Sequence, residues 1–163
     1  MLSPLDPSVA TVIGKEYVKF YRIGEKEMRP LHENRMPDKN FTACCWMRTP
    51  DDHLLCGTDG GIVSLFRFGE HLFDLDCTPG ADYPITAMTC SSTGFICGSI
   101  DSSILFYAYD DTKDQVHYKS QFVLIKIISG SELSPGYITA FSLCPKAENL
   151  CLVTSDAQML KVE

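Results

Sequence analysis

The sequence is poor in the groups that most enzymes and nucleic-acid binders need. It has one tryptophan, four histidines, and 14 lysines and arginines against 21 aspartates and glutamates. A net charge of −7 argues against wrapping a phosphate backbone, since that affinity comes from clustered Lys and Arg releasing counterions. Long apolar runs are missing too. The longest clean one, Phe122–Ile128, is broken by Lys126, whereas a membrane span needs roughly 20 such residues. No basic stretch followed by an apolar one opens the chain, so no signal peptide is read. No Cys-x-x-Cys occurs, and no histidine falls at a zinc-ligand spacing from a cysteine pair.

Catalytic constellations are equally sparse. His32, His53, His71 and His117 are scattered, and none accompanies a serine or cysteine in a nucleophile context. Asp51-Asp52 and Asp110-Asp111 lie in turn-rich segments, where solvated aspartate is ordinary. Gly57-Thr58-Asp59-Gly60-Gly61 has the glycines of a phosphate loop but not the following Lys-Ser/Thr or the helix that would orient N–H donors. The expectation is a non-enzymatic protein with no cofactor, no metal and no catalytic residues.

Eight cysteines (44, 45, 56, 77, 90, 97, 144 and 151) are many for 163 residues. Most sit in apolar runs such as Phe95-Ile96-Cys97-Gly98 and Leu150-Cys151-Leu152-Val153, and free cysteine behaves as a small buried hydrophobe. They read as core thiols of a cytoplasmic protein rather than a disulfide framework. A chain with 45% hydrophobic and 21% charged residues suits an ordered domain.

Short apolar runs with period-2 alternation, punctuated by Gly, Pro, Asp and Ser, fill the chain from Val9 to Val162 and predict an all-β fold. Only Lys15–Arg35 is ambiguous. It is read as a strand followed by a polar loop, because Gly24 and Pro30 interrupt any helix. The runs repeat. Phe41-Thr42-Ala43, Ile85-Thr86-Ala87 and Ile138-Thr139-Ala140 open alike. Two of these lead to Cys56-Gly57 and Cys97-Gly98, 41 positions apart. Beyond each lies an Asp-containing turn, then Val63 or Ile104, then Phe66 or Tyr107. Val9–Tyr21 fits the second half of this template and Ile138–Val162 its first half. A repeat near that length with four short strands is the pattern of a propeller blade, with blade-equivalents at about 1–40, 41–84, 85–137 and 138–163, the first and last incomplete. Ala and Gly would allow close approach near a crowded centre, and the aspartates would supply left-handed turn residues. Propellers close with roughly 4–8 blades, so a partial propeller is expected, completed by further blades or by another chain.

Gly98-Ser99-Ile100-Asp101-Ser102-Ser103-Ile104-Leu105-Phe106-Tyr107 resembles the second half of a WD40 repeat, and Ser3-Pro4, Thr49-Pro50 and Cys144-Pro145 echo that family's Ser-Pro turn. The chain departs from the family in having no Gly-His pair and in placing Tyr21, Phe66 and Tyr107 where a tryptophan would stand. The usual buried His–Ser–Asp–Trp network is therefore not expected. Leu2-Ser3-Pro4, Val12-Ile13-Gly14, Lys19-Phe20-Tyr21-Arg22-Ile23, Trp46-Met47, Gly57–Gly61, Leu65-Phe66 and Asn149–Leu160 are similar to the propeller region of the cilia- and flagella-associated protein 57 family. That resemblance implies a protein-interaction scaffold of the ciliary or flagellar axoneme that helps place inner dynein arms, with other axonemal proteins as partners and no nucleic acid or membrane. A WD40 scaffold of a non-ciliary trafficking or assembly complex is the alternative. No partner-binding residue is assigned. The segments considered are Glu25–Lys39 and Asp110–Ser120, while Trp46 is expected to pack between blades.

Overall fold

The computed structural model describes residues 1–48, 53–78, 81–110, 112, 121–130, 136–144 and 149–162. These residues form twelve β-strands and no α-helix. The strands are β1 (Val9–Ile23), β2 (Met28–Trp46), β3 (His53–Thr58), β4 (Ile62–Arg67), β5 (Glu70–Asp76), β6 (Ile85–Cys90), β7 (Gly94–Ser99), β8 (Ile104–Tyr109), β9 (Phe122–Ile128), β10 (Ile138–Leu143), β11 (Leu150–Thr154) and β12 (Met159–Val162). They build three antiparallel sheets in sequence order, β1–β5, β6–β9 and β10–β12, and no sheet closes on itself among the described residues.

The first sheet folds over. An extended 15-residue strand would hold its ends roughly 50 Å apart, yet Ile23 N–H donates to Ser8 O at 2.6 Å. β1 therefore doubles back at Gly14-Lys15-Glu16, where Glu16 adopts φ 67°. β2 changes partner along its length, pairing with β1 from Met28 to Asn40 and with β3 from Phe41 to Trp46. Val18 and Phe20 of β1 thus come to pack face-on against Leu54, Cys56 and Phe66 of β3 and β4. Residues Met1–Ser3 line the outside of β1, with Thr11 N–H donating to Met1 O at 2.8 Å.

The Glu25–Lys39 segment, expected as a polar loop, is mostly strand. Both of its faces are solvated, so it carries no apolar alternation. Its backbone is satisfied by β1 through pairs such as Phe20↔His32 and Lys19↔Glu33, and pairing needs only backbone N–H and C=O.

Two structural devices recur. The first is a bulge at the Thr of each Thr-Ala pair. Register shifts fall between Phe41 and Ala43, Ile85 and Ala87, and Ile138 and Ala140. An unpaired residue in a ladder bends the strand and sharpens its twist. Here each threonine hydroxyl points at the second strand, 3.2 Å from Gly57 O, 3.3 Å from Gly98 O and 3.0 Å from Val153 O respectively. Thr42 also reaches Ile85 O of the next sheet at 2.5 Å.

The second device is a turn with one left-handed residue. Glu16 (φ 67°), Gly61 (73°), Ser102 (68°) and Ala157 (62°) occupy the same place in four hairpins. The aspartates do not supply this conformation, contrary to expectation. They act as acceptors instead: Asp101 receives Ser103 N–H at 3.0 Å, and Asp156 receives the Thr154 hydroxyl.

Three apolar layers separate the folded-over sheets. Their thickness is set at two glycines. A Cβ on Gly57 would lie 2.6 Å from Ile85 Cγ2, and one on Gly98 would lie 3.0 Å from Ile138 Cβ. Both isoleucines are fully buried. Overpacking a dense core costs about 1–3 kcal/mol. Gly57→Ala should therefore lower the unfolding free energy by that amount in urea melts. Gly60→Ala should leave it within about 0.5 kcal/mol of wild type, because nothing lies closer than 4.0 Å to a Cβ there.

Candidate functional site

The polar half of β2 lies across β4 and β5, and the notable side-chain chemistry of the described residues gathers there. Lys39 Nζ donates to Ser64 Oγ at 2.9 Å and pairs with Asp74 Oδ1. Ser64 Oγ donates to the same Asp74 oxygen at 2.7 Å, and His71 Nε2 meets it at 2.9 Å. Partial burial pushes the Asp74 carboxyl up, but the hydrogen bonds from Lys39, Ser64 and His71 outweigh this and hold it below the usual carboxylate range.

Serine, histidine and aspartate in contact invite comparison with a hydrolytic triad, and the connectivity rules that comparison out. The Ser64 proton goes to the carboxylate, not to an imidazole, and Ser64 is completely buried. A triad needs the imidazole on the hydroxyl and the carboxylate behind it. Here the carboxylate is the hub, and the network ties β2 to the hairpin of β4 and β5. Sequence reading missed it because its members come from three strands and share no local spacing.

The tip of that hairpin is built against local preference. Arg67 pairs with Glu70, leaving Phe68-Gly69 as a two-residue loop with positive φ at both positions, 50° and 84°. Such loops favour Asn-Gly, because a bulky side chain is strained at φ > 0. Phe68 is nonetheless 63% exposed, with the Arg67 guanidinium 5.1 Å above its ring. The loop is clamped from β2, since Asn34 Nδ2 donates to Gly69 O at 2.6 Å and a Cβ on Gly69 would collide with the His32 ring.

Beside the tip opens a cleft of about 320 Å³, lined by Phe20, Leu31, His32, Trp46 and Phe68, with Arg22 and Asp6 paired at 3.8 Å on its rim. Trp46 packs edge-on against Phe20 with centroids 6.1 Å apart, and its buried Nε1–H has no acceptor. An aromatic-walled cleft with a polar rim can hold an apolar side chain.

The remaining sequence candidates do not converge. His53 is buried at the start of β3 and His32 is exposed on β2. His117, Asp51-Asp52 and Asp111 lie outside the described residues, as does most of Asp110–Ser120. Gly57–Gly61 is the repeated hairpin turn. No three of His, Cys, Asp and Glu are grouped to hold a metal among the described residues. Four cysteines are buried (45, 56, 77 and 97), Cys144 is exposed, the other three are intermediate, and none is in a disulfide. No protein-family model and no curated protein matches this sequence.

Two outcomes follow from this geometry. A carboxylate with a lowered folded pKa contributes stability above its unfolded pKa of about 3.9 and loses it as pH falls through the folded value. Asp74→Asn should cost about 1 kcal/mol near pH 7, discounted for the exposed part of the carboxylate. Thermal melts should show the gap from wild type closing below about pH 4, whereas a gap independent of pH would remove the charge from this account. Phe68→Asn should leave stability unchanged or raise it by up to about 1 kcal/mol, since Asn tolerates the left-handed backbone. A loss beyond about 1 kcal/mol in urea melts would mean that the ring supports the fold.

Proposed function

We propose that the chain is a segment of a WD40-like β-propeller, about four blade-equivalents long, that works as a non-enzymatic protein-interaction scaffold. The observation carrying this reading is the fourfold turn. Glu16, Gly61, Ser102 and Ala157 hold the same left-handed place in four hairpins along the chain. Successive sheets also meet through the same glycine–isoleucine contact, at Gly57–Ile85 and Gly98–Ile138. Radial repetition of a small antiparallel sheet is the propeller solution to the exposed-edge problem. Rigid strands then fix hairpin tips, and partner proteins read the tips.

The setting we propose is the ciliary or flagellar axoneme, helping to place inner dynein arms, on the strength of the dispersed motifs from Leu2-Ser3-Pro4 to Asn149–Leu160. Phe68 is the contact residue we favour, because an exposed ring on a strained backbone is costly unless it is used. Detergent-extracted axonemes from ciliated cells expressing the tagged chain provide the test. Retention in the salt-washed axonemal pellet, reduced severalfold by Phe68→Asn, is the expected result. A wholly soluble pool sinks the ciliary assignment in favour of a scaffold in another complex. Full retention of Phe68→Asn would move the contact elsewhere on the surface.

A further inference from the structure

The layer between the sheet of β3–β5 and that of β6–β9 contains two thiol pairs, and each joins one sheet to the other. Cys77, which follows β5, shares a buried cluster with Cys97 on β7. Cys45 on β2 faces Cys90 at the end of β6, with 3.0 Å between their sulfurs. The two pairs differ in access. Cys77 and Cys97 are sealed in the core, and so is Cys45, but Cys90 is half-exposed.

We propose that Cys45 and Cys90 are an oxidation site, at which a hydroperoxide converts the two thiols into a disulfide that staples β2 to β6. Two side chains need to close only about 1 Å to reach the bond length of about 2.05 Å. The chemistry assigns each sulfur a role. Peroxide delivers one oxygen to Sγ of Cys90, the less buried residue of the pair, giving a sulfenic acid as the O–O bond breaks, and the other oxygen leaves as water. Cys45 Sγ then attacks that sulfur. The S–S bond forms, the S–O bond breaks, and the hydroxyl leaves with the Cys45 proton as a second water. Two thiols and one hydrogen peroxide give one disulfide and two waters, the sulfurs losing two electrons in total.

Burial pushes the Cys45 thiol well above the ordinary cysteine range, so Cys45 is not the sulfur that meets the peroxide first, and its reaction with Cys90 rests on their contact. The sealed Cys77–Cys97 pair offers the oxidant no exposed sulfur. Cys144, the exposed cysteine, serves as the control for surface oxidation. The bond would close a loop through β3, β4 and β5, which restricts the unfolded chain as well as fixing the interface. This inference concerns the interface between two sheets and stands whether or not they belong to a propeller.

The test uses the purified chain, treated with about one equivalent of hydrogen peroxide, alkylated and digested without reductant. A linked peptide joining Cys45 and Cys90 is expected by mass spectrometry, with the mass lowered by two hydrogens. The urea midpoint should rise by about 1–2 M and return on adding dithiothreitol. Cys90→Ser, at a half-exposed position, should fold, give no linked peptide and show no shift, and Cys45→Ala should behave likewise if it folds. Cys144→Ser should retain both effects. Sulfinic acid at Cys90 without the linked peptide, preferential linkage of Cys77 to Cys97, or a linked peptide with an unmoved midpoint would each overturn the proposal.

Discussion

Close approach of neighbouring sheets is the constraint on which the remaining structure depends. It is achieved where a strand lacks a side chain. Ile85 presses on Gly57 and Ile138 presses on Gly98, at separations that leave no space for a methyl group. The adjacent threonine makes this contact possible. Its bulge bends the first strand of the sheet, and its hydroxyl satisfies carbonyl oxygen at the disturbed ladder. With Thr42 the hydroxyl also reaches the carbonyl of Ile85, so one side chain serves two sheets. Bulge, glycine and isoleucine act together, because loss of any one widens the apolar layer that the other two define.

The apolar layers combine aromatics with small side chains, and the cysteines are among the latter. Cys56 and Cys97 each precede the glycine of a close contact, are fully buried, and pack into a different layer from that contact. A thiol there is small and polarizable enough to pack well. Larger residues follow on the next strand, Phe66 on β4 and Tyr107 on β8, where Phe95 and Tyr107 stack at 4.7 Å and Phe66 meets Phe41 and Phe20 at an angle. Glycine and aromatic of one sheet thus serve different layers: Gly57 meets Ile85 in one layer while Phe66 fills another, and Gly98 meets Ile138 in a third while Tyr107 packs beside Ile85.

Much of this was legible in the sequence because each repeated feature is local. Thr-Ala, Cys-Gly and the aromatic fall within one stretch of chain, and period-2 alternation marks strands with one or both faces buried. What escaped has a different physical character. Met28–Asn40 is a strand without a buried face, so its side chains carry no periodic signal. The Lys39, Ser64, His71 and Asp74 network joins residues whose meeting depends on β2 crossing from one layer to the next. The left-handed turn residue was misassigned to aspartate because composition suggests it, whereas backbone geometry gives that place to a glutamate, a glycine, a serine and an alanine. Their common position is a property of the hairpin, and no residue type encodes it.

The repeats agree most where sheets touch and least at the outer hairpins. Inner turns carry the same φ in four copies, but the outer ones are unlike each other. β1 and β2 join through Gly24–Glu27, and β4 and β5 through a strained Phe68-Gly69. β8 and β9 are separated by a longer segment that begins at Asp110. Packing leaves the inner positions little choice, since a methyl group at Gly57 already overfills its site. No such constraint acts at the outer tips, which face solvent and can change without loosening a layer. A residue that is unfavourable there, as exposed Phe68 is, gains nothing from the core. The Phe68-Gly69 tip is held instead by β2, through Asn34 and His32, so its strain is carried by contacts outside the core layers.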